Sequence, residues 1–243
     1  MGIDILVPVL ARPHNAQPLV DSATITESEH RVIFICSPKD REQIKACEAT
    51  GADTLIVDWH PGVGDFAKKI NYGFEHSDSE WVFQGADDIR FQPGWDHQAL
   101  MLARKQRRRV IGTNDLHNPS VKRQLSSTHT LFARSYIEKY GGTEDDTGTV
   151  FCELYDHQFV DTEFVEVARR RREWAFARHS VVEHLHPHWG FGEMDDTYRK
   201  ALRATGADYR LFRDRMGLAL RNGREQRIRL RREAQLEQRR RAR

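Results

Sequence analysis

Short apolar runs alternate with amphipathic stretches through the first ninety residues. Residues 3–9 form an apolar run closed by Pro8 and Pro13, and residues 32–36 form a second; both read as buried strands. Ser37-Pro38 opens a helix expected to reach about residue 50, where Gly51 stops it. Residues 54–57 are a third strand. Residues 65–76 place Phe66, Ile70 and Phe74 at i, i+4 and i+8, one face of a helix. Residues 81–83 are a fourth strand. Strands alternating with helices predict an α/β domain with a largely parallel sheet covered on both faces. Ligands of such sheets bind beyond the carboxyl ends of the strands. Those ends carry Pro8–Arg12, Ser37–Asp40, Asp58 and Asp87-Asp88, so four segments are expected to meet in one crevice.

The second half is less regular. Residues 110–113, 130–133 and 181–185 read as strands, 114–124 as a loop, and 141–148 as a Gly/Asp/Thr turn region. Residues 156–172 read as a helix, and from Tyr209 the pattern is helical and then almost purely charged. The division expected from this is a domain over residues 1–207 and a basic helical extension over 208–243.

The charge of the 243-residue chain is nearly balanced, at +2, but unevenly placed. Residues 209–243 hold thirteen arginines against four acids, a surplus of nine, which leaves a deficit of seven for residues 1–208. No apolar run reaches membrane-spanning length and the N-terminus has no signal-peptide core. Cys36, Cys47 and Cys152 are odd in number and form no CxxC pair, as expected of buried reduced thiols in a cytoplasmic protein.

The segment 62–88 carries the most chemistry. A Gly-containing loop enters a helix bearing Lys68, Lys69 and Asn71, and the next strand ends at Asp87-Asp88. Adjacent carboxylates are costly to hold together unless a cation neutralises them, and Mg²⁺ or Mn²⁺ suits carboxylate and phosphate oxygens. Basic and amide side chains nearby suit phosphate or ribose. The segment therefore predicts a metal-bridged nucleotide diphosphate. In the run 181–188, His184 and His186 share a face of a strand, and one of them is expected to complete the metal's coordination. Asp161 and Glu163 fit two readings equally: acids at a helix N-terminus, or a general base for an acceptor hydroxyl. Trp189 fits a sugar platform and a core residue alike. The arginine runs 107–109 and 169–172 read as solvated faces, and the tail as a solvated helix, an oligomerisation element or a nucleic-acid arm.

In order of elements, residues 3–200 resemble the GT-A glycosyltransferases, in particular the family 2-like group and its bacteriophage-encoded members. Pro8–Arg12 looks like the family's first nucleotide-contacting loop, and Asp40 stands where an acid often contacts the base. The stretch from Gly64 to Asn71 is similar to the family's G-x-x-x-A-x-N run along the nucleotide. Phe83-Gln84-Gly85-Ala86-Asp87-Asp88, then Pro93-Gly94-Trp95, resembles the DxD strand end and the helix after it, with Gly85 in place of the first acid. Asp161 and Glu163 occupy the region of the family's ED-type base. His184, with His186 second, looks like its late metal-ligating histidine.

The resemblance implies an inverting, metal-dependent transferase on a mixed, mainly parallel GT-A sheet. Pro8, Arg12, Asp40, Lys68, Asn71 and Asp87 would hold the donor, a UDP-sugar. Asp87, Asp88, His184 and His186 would hold Mn²⁺ or Mg²⁺, and Asp161 or Glu163 would be the base. The acceptor stays open between modified phage DNA and a virion protein, in the host cytoplasm if the chain is phage-encoded. The oligomeric state stays open too. Two rivals share features of the sequence: a nucleotidyltransferase, with its paired Asp on metal, and a non-catalytic nucleic-acid-binding protein run by the arginine tail.

Overall fold

The computed structural model describes residues 2–25 and 29–217. The strands in chain order are β1 (Ile3–Pro8), β2 (His30–Cys36), β3 (Asp53–Ile56), β4 (Trp81–Gln84), β5 (Ile89–Phe91), β6 (Val110–Asn114), β7 (Thr130–Ala133) and β8 (Trp174–His184). The helices are α1 (Ala16–Ala23), α2 (Arg41–Ala49), α3 (Asp65–Glu75), α4 (Trp95–Gln106), α5 (Pro119–Lys122), α6 (Arg134–Tyr140) and α7 (Val160–Arg170). A further helix, α8, covers residues 196–217.

The strands join in one eight-stranded sheet of order β3-β2-β1-β4-β7-β6-β8-β5. β3, β2, β1 and β4 run parallel; β7 lies antiparallel between β4 and β6; β8 is parallel to β6 and antiparallel to β5. This is the mixed, mainly parallel α/β sheet expected. β1 and β4 bury every residue because apolar layers cover both faces. Ile5, Val7, Phe34 and Phe83 pack on one face with α1 and α4 (Leu19, Trp95). Leu6, Ile33, Ile35 and Val82 pack on the other with α3 and α7 (Ile70, Phe74, Phe164).

Several elements depart from the sequence reading, among them α7, which starts at Val160 and not at residue 156, and β8, which starts at Trp174 and not at residue 181. The helix after β2 starts at Arg41, because the Asp40 carboxylate accepts from the Gln43 N–H and caps it there, leaving Ser37-Pro38 in the preceding turn. The segment 114–124 contains the single turn α5, capped by Asn118 with Pro119 at its start. α8 begins thirteen residues before Tyr209 and runs through residues 207 and 208 without a break. The expected boundary thus falls inside a helix, and most of the arginine tail lies outside the described residues. The three cysteines are free and buried, and among the described residues no helix is long and apolar enough to cross a membrane.

Candidate active site

A cavity of about 220 Å³ opens at the carboxyl ends of β1 and β4. The loop before α3, the first turn of α7, the end of β8 and the start of α8 close its sides.

Asp87 and Asp88 follow the β4 strand end after Gly85 and Ala86. The Gly85 N–H donates to Leu6 O at 2.9 Å, and a Cβ on Gly85 would lie 3.1 Å from that same oxygen. The tight approach of β4 to β1 leaves little room for an acid at this position. Both aspartates line the cavity and both are buried. Arg12 Nη1 lies 3.3 Å from Asp87 Oδ1. Asp88 Oδ2 has His184 Nε2 at 3.2 Å and accepts from the Tyr198 hydroxyl at 2.5 Å. Burial and the neighbouring Asp88 charge raise the Asp87 carboxyl to about 7. Burial would raise Asp88 as well, but His184 and Tyr198 outweigh it and hold that carboxyl well below the usual range. Burial would lower His184; the Asp88 charge prevails and raises it. His186 lines the cavity without touching the Asp pair, and burial and His184 lower it to about 4.

Asp161 sits in the first turn of α7 on the cavity wall. Its Oδ1 accepts from the Thr162 N–H at 2.7 Å, and burial raises the carboxyl to about 6. A carboxylate titrating near neutrality has the basicity of a general base. The loop before it is held from α8: the Asp208 carboxylate accepts from the N–H groups of Asp156, His157 and Gln158 at 2.9, 3.0 and 2.8 Å. Phe159 then turns the chain into α7 with a φ of 69°, an uncommon value for a residue with a side chain.

Glu163 does not share this wall. Two residues further along a helix, a side chain faces elsewhere. Here it is fully buried, accepting from the Tyr155 hydroxyl at 2.5 Å and from Arg215 Nε and Nη2 at 2.8 and 2.7 Å. Its charge is spent on joining α7 to α8, which removes it as a base. Several expected donor contacts are likewise committed elsewhere. Lys69 Nζ reaches Val9 O and Ser37 Oγ at 2.8 Å and Asp65 Oδ2 at 2.9 Å, so its three N–H bonds are used tying α3 to the ends of β1 and β2. Lys68 is half-buried and absent from the cavity lining. Asn71 is buried, bonding Phe151 O, Glu153 Oε1 and the N–H groups of Val150 and Phe151. Asp40, besides capping α2, accepts from the Ala11 N–H at 2.6 Å. Trp189 lies off the cavity against His188. Of the residues expected to bind the donor, Pro8, Arg12 and Asp87 line the cavity, as does Lys69 with its N–H bonds already used.

The tertiary structure adds residues that no motif marked. Tyr198 and Asp195 come from the start of α8. Arg12 makes a two-point contact to Asp195 (2.6 and 3.1 Å), and its guanidinium lies 3.7 Å from the Tyr198 ring centre. Gln84, Thr128 and His129 line the cavity from β4 and the approach to β7.

Among the described residues no three His, Cys, Asp or Glu side chains already converge as a metal cage. The donor chemistry nevertheless fits Mn²⁺ or Mg²⁺. Asp88 and His184 form a ready oxygen–nitrogen pair with the Asp87 carboxylate adjacent, and such ions complete their shell with phosphate oxygens and water.

Neither a family model nor a curated protein sequence matches the chain. Solved structures do. The mannosyltransferase PcManGT from Pyrobaculum calidifontis, in complex with GDP-Man and Mn²⁺, superposes with a TM-score of 0.60 at 12% identity, covering 84% of this chain and 68% of that one. Glucosyl-3-phosphoglycerate synthase from Mycobacterium tuberculosis, with Mn²⁺, UDP and phosphoglyceric acid, gives 0.56 at 12% identity over 85% and 78% of the two chains. S. aureus TarS 1–349 in complex with UDP gives 0.57 at 12% identity over 75% of this chain, which spans 59% of the TarS chain. The chain therefore has the GT-A fold, with Asp87-Asp88 at the end of β4, His184 at the end of β8 and Asp161 on the wall of one cavity.

Proposed function

We propose that the protein is an inverting, metal-dependent glycosyltransferase that moves a sugar from a nucleotide-diphosphate donor, a UDP-sugar, to an acceptor hydroxyl. One observation carries this reading: Asp88 paired with His184, and Asp161 as a carboxyl raised to about 6, face the same cavity. The first pair suits a cation on a diphosphate, and the second suits proton removal from a weak nucleophile. The structures with the same fold support the donor class, since they hold UDP, or GDP-Man with Mn²⁺.

Each residue then has a role. Asp87, Asp88 and His184 would hold the cation, which when bound would offset negative charge on the departing diphosphate. Arg12 is a fixed positive charge of the cavity beside the Asp pair; by releasing Asp195 it can turn two further N–H donors toward phosphate oxygens. Asp161 takes the acceptor proton as the hydroxyl oxygen attacks the anomeric carbon and the carbon–oxygen bond to the diphosphate breaks. Direct displacement of this kind inverts the anomeric centre.

The test is nucleoside-diphosphate release from a panel of UDP- and GDP-sugars with Mn²⁺, Mg²⁺ or EDTA. Metal-dependent release is expected from one donor and is expected to disappear in Asp88→Asn. Release of pyrophosphate from a nucleoside triphosphate instead would establish the nucleotidyltransferase. Failure of every nucleotide to bind in the presence of Mn²⁺ would overturn the reading.

A further inference from the structure

The cavity has a polar floor that neither the cation pair nor Asp161 uses. Gln84 is the last residue of β4, three positions before Asp87, and is 1% exposed. His129 precedes β7 and is 3% exposed. Both line the cavity. Gln84 Nε2 and His129 Nδ1 are 3.4 Å apart, which turns the far atom of each side chain away from its neighbour. Those far atoms, Gln84 Oε1 and His129 Nε2, are buried and have no hydrogen-bond partner in the protein. Thr130 Oγ1, on the residue paired with Gln84 across the two strands, is also unpartnered. A buried polar group left unsatisfied is costly, because it gives up its water without gaining a partner. Among the described residues, Gln84 and His129 are the ones with such atoms that line the cavity, where a bound molecule can supply the missing partner.

We infer that Gln84 and His129 form a recognition floor for hydroxyls of the donor's sugar ring, and that they select a neutral sugar. This rests on the donor-site reading above. Oε1 can only accept a hydrogen bond, while Nε2 donates or accepts according to tautomer. A hydroxyl does both and satisfies either state of the pair. The location matches as well. A sugar ring joining a diphosphate at Asp87 and Asp88 to a proton acceptor at Asp161 must lie between these groups. Gln84 precedes Asp87 by three residues at the end of β4, and the His129 ring centre is 4.9 Å from that of His184. The charge nearby is the selective element. A sugar carboxylate here would face Asp161, which has no ion pair among the described residues, while the buried cations of the cavity are engaged, His184 with Asp88, Arg12 with Asp87 and Asp195, and Lys69 with Asp65; like charges in a buried site are disfavoured.

The experiment is calorimetric binding, with Mn²⁺, of UDP, GDP, UDP-glucose, UDP-galactose, UDP-N-acetylglucosamine, GDP-mannose and UDP-glucuronate to the wild type and to Gln84→Leu. The quantity read is the affinity for a nucleotide sugar relative to its own free nucleoside diphosphate. For the preferred neutral sugar this ratio is expected to fall about tenfold in Gln84→Leu, with free nucleotide affinity kept within about twofold. The wild type is expected to bind UDP-glucuronate at least tenfold less tightly than UDP-glucose. Monodeoxy analogues of the preferred donor provide an arm that alters no residue: the wild type should lose about tenfold against one of them, and Gln84→Leu should not distinguish it from the parent. An unchanged ratio, with no deoxy analogue discriminated, would show that the floor holds ordered water only and would overturn the inference. Equal loss for sugar nucleotide and free nucleotide would overturn it too, by assigning Gln84 to the cation pair. No binding of any nucleotide to the wild type would instead sink the donor-site reading, and this inference with it.

Discussion

Asp161→Asn separates function from stability in one residue. In the folded protein the carboxyl titrates near 6, against an ordinary 3.8, because burial disfavours its charged form. The sign follows from the direction of the shift. Below about pH 4 the carboxyl is protonated in both folded and unfolded chains, and burial costs nothing. Between pH 4 and 6 the unfolded chain ionises while the folded one resists, so stability declines. Above pH 6 the folded chain is ionised as well and the full cost is present. A rise from 3.8 to about 6 corresponds to about 3 kcal/mol. The carboxyl opens on a water-accessible cavity, which screens the charge, so about 1–2 kcal/mol is the better expectation. The amide of Asn is neutral at every pH and keeps an oxygen to accept from the Thr162 N–H. The variant should therefore match the wild type in stability at pH 4 and exceed it by about 1–2 kcal/mol at pH 7.5. Over the same range it should lose about 10²–10⁴-fold in transfer to an acceptor, while wild-type turnover falls about tenfold per pH unit below 6. Urea denaturation at half-unit pH steps, beside a product assay, measures both. A stability difference that does not change with pH, or a variant less stable than wild type at pH 7.5, would refute the argument.

Two other substitutions test the neighbouring assignments. Glu163→Gln breaks the buried ion pair to Arg215 and should cost about 3 kcal/mol, about 6–12 °C in Tm, while donor hydrolysis per folded molecule is retained; thermal denaturation with activity at a lower temperature checks this, and loss of hydrolysis in the folded variant would return Glu163 to the chemistry. Tyr198→Phe frees the Asp88 oxygen that its hydroxyl holds at 2.5 Å, so Mn²⁺-supported UDP binding should tighten about fivefold, the equivalent of about 1 kcal/mol; weaker binding by calorimetry would show that Tyr198 instead orients Asp88 for the ion.

The parallel half of the sheet and the α3 amphipathic face were legible from the chain because each is written in a local period: runs of apolar residues, a spacing of four, a proline or glycine stop. Of the four strand-end segments expected in one crevice, Pro8–Arg12 and Asp87-Asp88 line the cavity, whereas Ser37–Asp40 and Asp58 do not. Asp87-Asp88 stand out by position, after a strand and beside a basic helix, and it is the family resemblance that favours His184 over His186. Partner choice is not local. Asp161 and Glu163 are two residues apart and alike in chemistry, yet one meets a cavity and the other meets Arg215, 52 positions away. Lys69 and Asn71 look like phosphate and ribose ligands until their hydrogen bonds are traced to Val9 and Ser37 and to the segment 150–153. Tyr198 and Asp195 carry no motif; they matter because α8 folds back across about 110 and 183 residues of chain to Asp88 and Arg12. A polar side chain's role depends on which group satisfies it once water is excluded, and that group is supplied by the tertiary fold. The sequence could therefore name the residues able to do the chemistry, but their division between the cavity and the scaffold was decided only when long-range packing had used up the hydrogen bonds of some and left others free.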